Sequence, residues 1–455
     1  MNLASKLFKG DRVIWILFLF FCAISLVEVF SATSTLAYKS TTHWTPIVRH
    51  ASFLLAGVVV VLLLHNIPCR FYSLLSVFLP ISVILLILTF FIGVEINGEK
   101  RWLNIVGITF QPSEITKLAT IGYTAVILSL KNWLTDKQKF WYIQGGTALV
   151  CGLIFFTNGS TAILLFSIVQ MMVFIGQISL VRLLKFWGIL IAAVSLMVFL
   201  LLTMPGSVIN YMPDRVQTWK ARIERFSDSE PPVTMEAGKT VNIDGENYQV
   251  IHAKIALARG GLFGRLPGHS QQRDFLPQAY SDFIYAIIIE EMGIAGGIFV
   301  LFLYTVLLVR VGIIARRCDK LFPKYLVMGC GLLIVVQALI NMAVAVDLIP
   351  VTGQPLPLIS RGGTSTVISC AYIGIILSVS RFGANMGNVE EIDELPVEEN
   401  PDGSEPEMGQ QPLGNGSAPV EEAIGRDENG VEEAEENPLK AVMELKEETT
   451  TETKI

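Results

Sequence analysis

YLVMGCGLLIVVQALINMAVAV, residues 325–346, contains no charged side chain. At 1.5 Å of rise per residue a helix of this length reaches roughly 33 Å, against a bilayer hydrocarbon core of about 30 Å. The stretch therefore reads as a membrane-spanning helix. Working outward, similar apolar runs centre on 13–30, 51–65, 72–93, 112–130, 141–156, 160–177, 184–203, 283–309 and 365–380. Lipid offers no partner for backbone polar groups, so only helices and closed barrels cross it. These runs are long and continuous and do not alternate as barrel strands do. The expected fold is an all-α membrane protein of about ten transmembrane helices.

Composition agrees. Hydrophobic residues make up 52% of the 455 and charged residues only 16%, where a soluble domain carries about 25%. The acids are concentrated at one end. From Asn388 to Ile455 there are 21 Asp or Glu and 4 Lys or Arg, a net charge of −17. A whole-chain charge of −6 then leaves +11 for the rest. Three segments are expected: an N-terminus at 1–11, a polytopic membrane domain at 12–382, and a disordered acidic tail at 383–455. The tail, rich in Pro, Gly, Asn, Ser and Glu and poor in aromatics, lacks the apolar surface that ordering requires. Either it docks a partner or it is only a flexible extension. The first apolar run lacks a persuasive cleavage site and reads as a retained span. The six cysteines show neither a disulfide framework nor metal spacing.

Short loops set the orientation. Lys6, Lys9, Arg12, Arg70, Lys131, Lys137, Lys139, Arg182, Lys185, the cluster Arg310 to Lys324, and Arg381 fall on one side of a ten-span chain. That side, with both termini, is expected to be cytoplasmic. The other face then carries residues 96–111, a long loop at about 204–282, and the Pro- and Gly-rich segment 347–364. An apolar segment that cannot be helical must pack on protein or line a cavity.

Chemistry-bearing residues gather on that face. Gly98-Glu-Lys-Arg101-Trp-Leu-Asn104 precedes Phe110-Gln-Pro-Ser-Glu114-Ile-Thr-Lys117. Pro112 suits a first helical turn, and Glu114 there meets the positive end of the helix dipole. Lys117 lies one turn deeper on the same face, and ionisable groups in a span usually face a cavity or a partner. In Tyr280-Ser281-Asp282-Phe283, Ser281 or Asp282 could simply cap the eighth span. Alternatively, Asp282 is a base at the outer mouth of that span. Ser360-Arg361-Gly-Gly-Thr-Ser365 either forms a rigid turn or offers phosphate a forked donor. No Walker loop, zinc signature or dinucleotide fingerprint is present.

These three blocks, Gly98 to Lys117, Leu276 to Gly293 and Pro350 to Ser365, resemble those of the SEDS family, which includes FtsW and RodA. The similarity extends over roughly residues 10–382. It implies the SEDS fold and a peptidoglycan glycosyltransferase that polymerises lipid II at the outer face of the cytoplasmic (inner) membrane. By the resemblance, Asp282 is the catalytic residue. Glu114 and Lys117 are the intramembrane pair, and Arg101, Arg361 and Ser365 join them as substrate-binding candidates. A divalent cation, Mg2+ or Mn2+, is one way to meet the pyrophosphate charge. No organic cofactor is implied, and metal ligands are unassigned. The implied partners are lipid II, a class B penicillin-binding protein that acts as the division transpeptidase, other divisome proteins and membrane lipids, with no nucleic acid.

The sequence departs from the family pattern at Tyr280-Ser281, where His-Thr is usual, and at Thr157 to Thr161, which lacks an acid. The Gly353-Gln354 and Ser360–Ser365 forms look more like FtsW of the Bacteroidetes type than RodA, so the expected place of action is the division septum rather than the cylindrical wall. The rival readings are a lipid II flippase and a scaffold that recruits the transpeptidase.

Overall fold

A computed structural model describes residues 8–33, 44–96, 99–105, 107–131, 133–203, 245–276 and 279–393. The chain divides into two units, Met1–Asn385 and Met386–Ile455. Within the first, the helices are α1 (Arg12–Ala32), α2 (Thr45–Leu64), α3 (Phe78–Ile92), α4 (Pro112–Ser129), α5 (Asp136–Thr157), α6 (Gly159–Ile175), α7 (Leu180–Thr203), α8 (Gly245–Gly260), α9 (Ile284–Arg316) and α10 (Leu321–Ala345). The last helix, α11 (Thr364–Asp393), begins there as well.

Each of the ten apolar runs is helical, but fewer than ten helices are long and apolar enough to cross a membrane. Seven qualify among the described residues, or eight if the 3-10 helix Cys69–Ser76 and α3, bent by 44°, form one span. The shortfall has a physical cause. Helix α4 carries Glu114, Lys117 and three threonines, which lower its hydropathy, and α6 has only 17 residues. Only α8 lies outside the apolar runs.

Local chemistry sets several helix ends. The Asp11 carboxylate accepts from the backbone N–H of Val13 and Ile14 and starts α1. Thr135 and Gln138 form a reciprocal capping box at α5. Asn158 alone separates α5 from α6, and its side chain accepts from the Thr161 N–H.

Lipid tails are as apolar as leucine, so helices in a bilayer are held by close packing and polar contacts between them. Helix α9 packs along α10 and α1, and α4 packs against α10, α3 and the 3-10 helix. Tyr304 of α9 is fully buried, stacks near Phe21 of α1 at 4.5 Å, and donates to the Pro357 carbonyl. That bond ties the 347–363 segment to the helix core. Gln144 and Gln170 exchange two hydrogen bonds of 2.9 and 3.0 Å between α5 and α6.

Beside the helices, a small antiparallel sheet is made of β1 (Val94–Ile96), β2 (Glu99–Ile105) and β3 (Ile108–Phe110) in that order. A connection outside the helices still needs partners for its backbone, and strand pairing supplies them. Helix α11 runs to Asp393, past the expected end at residue 382. A helix keeps its internal hydrogen bonds on leaving the bilayer, so the change in composition does not fix its end. The expected disorder of residues 394–455 and most of the expected long loop, 204–244, lie outside the described residues.

Candidate active site

Helix α4 begins at Pro112, with Glu114 in its first turn. One turn on, Lys117 is completely buried and pairs with Glu114 at 2.8 Å. Its ammonium also donates to Gln337 of α10 at 3.1 Å, and the Gln337 amide donates to the Pro355 carbonyl at 3.0 Å. The pair therefore links α4, through α10, to the 347–363 segment.

Asp282 precedes α9 by two residues. It does not cap the helix: the N-cap is Phe283, without a side-chain bond. Its Oδ1 instead accepts from the Ser281 hydroxyl at 2.8 Å. The Asn341 amide donates to the Asp282 carbonyl at 2.8 Å and to the Gln354 carbonyl at 2.7 Å. The Ser360 hydroxyl donates to the Ser281 carbonyl at 2.6 Å, and the Arg361 N–H donates to the Tyr280 carbonyl at 3.0 Å. The 280–282 and 353–361 segments are thus stitched together by backbone acceptors, which leaves the Asp282 carboxylate to face the cavity. Gly353, at φ +63°, lies beside Asp282, and an added Cβ there would meet Oδ2 at an ordinary contact distance of 3.7 Å.

Burial pushes the Asp282 carboxyl above the ordinary carboxylate range, while the Ser281 hydroxyl and the Arg101 charge pull it back. This reverses what a helix N-terminus alone would do, which is to favour the ionised form. Without a cap bond to the helix, desolvation wins. Burial also lowers the Arg361 guanidinium, and Tyr280 opposes that shift. The guanidinium lies 5.2 Å from the centre of the Tyr280 ring.

One cavity of about 470 Å³ collects these groups. Arg101, Glu114, Asp282, Arg361 and Ser365 all line it. Lys117 does not; it stands behind Glu114. Arg101 reaches the cavity from β2, its Nε donating to the Thr157 carbonyl at 2.9 Å. Ser365 bonds back to the Gly362 carbonyl at 3.1 Å within the first turn of α11.

Sequence reasoning missed Arg49 and His50 on α2, which line the cavity together with Asn158 and Thr161 at the α5–α6 break and Gln249 of α8. Arg49 and His50 just precede the apolar run at 51–65, so the polarity that marks them also placed them outside a span. Gln354, quoted in the sequence only as part of a motif, donates to Thr161 at 2.8 Å.

The family model described as cell cycle protein, for FtsW, RodA and SpoVE, matches residues 11–385. The probable peptidoglycan glycosyltransferase FtsW of Bacillus subtilis is 33% identical over 316 residues, covering 67% of this chain and 72% of that protein. Its namesake from Halomonas elongata is 32% identical over 369 residues, covering 78% and 86%. Among solved structures, a chain from a peptidoglycan synthase complex that coordinates polymerization and crosslinking superposes with a TM-score of 0.64 at 22% identity, covering 82% of this chain and 98% of that one. The rod shape determining protein RodA of Thermus thermophilus gives a TM-score of 0.56 at 23% identity, covering 82% and 97%.

Proposed function

The chain belongs to the FtsW, RodA and SpoVE family of cell cycle proteins, and on that premise we propose that it is a peptidoglycan glycosyltransferase. It polymerises lipid II into glycan strands at the outer face of the inner membrane during septal division. The observation that carries this reading is one cavity holding Asp282 together with Arg49, Arg101 and Arg361. A carboxylate to take a proton and guanidiniums to take pyrophosphate charge are what glycosyl transfer from a lipid pyrophosphate needs.

In this mechanism the acceptor sugar hydroxyl attacks the anomeric carbon of the donor. Asp282 accepts the hydroxyl proton as the new glycosidic bond forms. The bond from the anomeric carbon to the pyrophosphate oxygen breaks, and the departing charge meets the arginines. Attack from behind inverts the anomeric centre. The raised carboxyl of Asp282 makes it a stronger base than an exposed aspartate.

Among the described residues no three His, Cys, Asp or Glu side chains converge to hold a metal. Mg2+ commonly binds through one or two carboxylates together with substrate phosphates. Glu114 and Asp282 are the carboxylates that line the cavity; Glu114 is paired with Lys117, so Asp282 would hold such an ion only in place of its role as the base. A divalent ion there would supply charge stabilisation for the leaving group.

A class B penicillin-binding protein is the proposed partner, in keeping with the synthase complex whose chain shares this fold. In this reading both termini are cytoplasmic, which the basic short loops support. The test is glycan synthesis from labelled lipid II by the purified chain with its transpeptidase. Asp282→Asn should fold and bind the partner yet lose polymerisation by about 10²–10⁴-fold. Glycan chains of wild-type length and yield from this variant would reject the mechanism and favour a flippase or a scaffold.

A further inference from the structure

Helix α9 is broken at Gly293, whose backbone lies at φ 73° and ψ −179°. An unbroken helix would bond the N–H of Ile294 and Ala295 to the carbonyls of Glu290 and Glu291. The break frees all four groups, and the turn after α8 satisfies every one. Ile294 N–H donates to the Gly261 carbonyl at 2.9 Å and Ala295 N–H to the Leu262 carbonyl at 3.2 Å. In return, Arg265 N–H donates to the Glu290 carbonyl at 3.1 Å and Leu266 N–H to the Glu291 carbonyl at 2.8 Å. The backbones approach so closely that a Cβ on Gly293 would lie 2.3 Å from the Leu262 carbonyl oxygen.

The depth of this junction can be read along α9. Arg310, paired with Asp11 at 2.6 Å, marks the opposite membrane edge. Seventeen residues back from it, roughly 26 Å of unbroken helix against a hydrocarbon core of about 30 Å, is Gly293. The turn therefore sits at the hydrocarbon boundary on the Asp282 side. Irregular backbone is tolerated at such a depth only when its polar groups are met, and here they are.

Its side chains match that position. Leu262 is 60% exposed, Phe263 80% and Leu266 67%. Ile294 and Ile298, beside them on α9, are also exposed. Arg259 and Arg265 flank the apolar tip and are exposed. At its far end, Pro267 and Gly268 close an apolar slot of about 380 Å³ with Leu26, Val27, Phe30 and Ile47, roomy enough for part of an acyl chain. An apolar tip with basic shoulders is the pattern of an interfacial anchor.

We propose that the Gly260–Gly268 turn is a lipid-inserted anchor. Leu262, Phe263 and Leu266 seat among the acyl chains of the bilayer lipids, and Arg259 and Arg265 meet lipid phosphates. The anchor holds α8, and with it Gln249, over the cavity. It also carries the Ser270–Gln272 segment, which Glu290 grips through the backbone N–H of Gln271 and Gln272, each at 3.2 Å.

The test places the photo-crosslinking residue p-benzoylphenylalanine at Phe263, and separately at Leu266, in the full chain. Nanodiscs of phosphatidylglycerol and phosphatidylethanolamine, without lipid II, exclude the substrate's isoprenoid as the source. The reference positions are Ile298 on the exposed face of α9 and the exposed Asp136 at the start of α5. Mass spectrometry should find phospholipid adducts at both turn positions, within about threefold of the Ile298 yield and well above Asp136. Adduct yields as low as at Asp136 would overturn the anchor. So would replacement of the lipid adduct by a crosslink to the transpeptidase once that partner is added. The readout needs no glycan synthesis, so its failure is separate from failure of the glycosyltransferase reading.

Discussion

At the residue scale, Asp282 carries two opposed demands. The proposed base role requires ionisation, and burial resists that. The acid limb of the rate profile should therefore lie above the ordinary carboxylate range, with polymerisation falling as the pH drops through it. The sign for stability is the reverse. A carboxyl whose folded pKa is raised contributes stability that is full below its unfolded pKa and is lost as pH rises through the folded value. At neutral pH, Asp282→Asn should then melt at a higher temperature than the parent, with the gap closing in acid; melting curves across pH check this. Lys117 poses a different problem. Removing it leaves Glu114 buried without its cation, and breaking a buried pair typically costs about 3–5 kcal/mol. Lys117→Ala should lower thermal stability and abolish glycan synthesis, and full activity would reduce the pair to a helix-end feature. The spacing of three made this pair legible in the sequence, whereas the bond from Lys117 to Gln337 joins residues 220 positions apart and had no local signal.

At the scale of elements, α10 matters through Asn341, which holds the carbonyls of both Asp282 and Gln354. A misplacement of about 1 Å at a reacting group can cost about 100-fold in rate. Asn341→Ala should therefore reduce polymerisation by about that factor while lipid II binding persists, as measured by turnover against substrate titration. Gly293 tests the junction of α9 with the turn. Its dihedrals fall in a region open essentially to glycine, where another residue pays about 1–3 kcal/mol before any clash. Gly293→Ala should lower the melting temperature and expose Arg265 to limited proteolysis. The sequence showed an apolar run at 283–309 interrupted by Glu290 and Glu291, and a hydrophobic pattern does not register a break whose backbone groups are paired by a distant turn. The strands at 94–110 escaped notice for a related reason, since pairing of such short segments depends on their neighbours.

At the scale of the whole molecule, charge is the most legible property. If both termini are cytoplasmic, as the proposed orientation has them, cysteines at Glu246 and Ser404 should be labelled by an impermeant reagent from opposite sides of the membrane. A chain truncated after Gly387 keeps the whole unit Met1–Asn385, and it should polymerise lipid II in vitro as the full chain does. What the sequence determined by itself was the membrane class, the positions of the ten helical runs and five residues that line the cavity. Hydrocarbon imposes length and apolarity on any segment that crosses it, and those demands are written locally. The tertiary structure alone decided which polar groups share the cavity, that Arg49 and His50 join them from α2, and that the Asp282 carboxyl is desolvated and does not cap the helix. Those outcomes depend on burial and on partners distant along the chain, which no local pattern encodes.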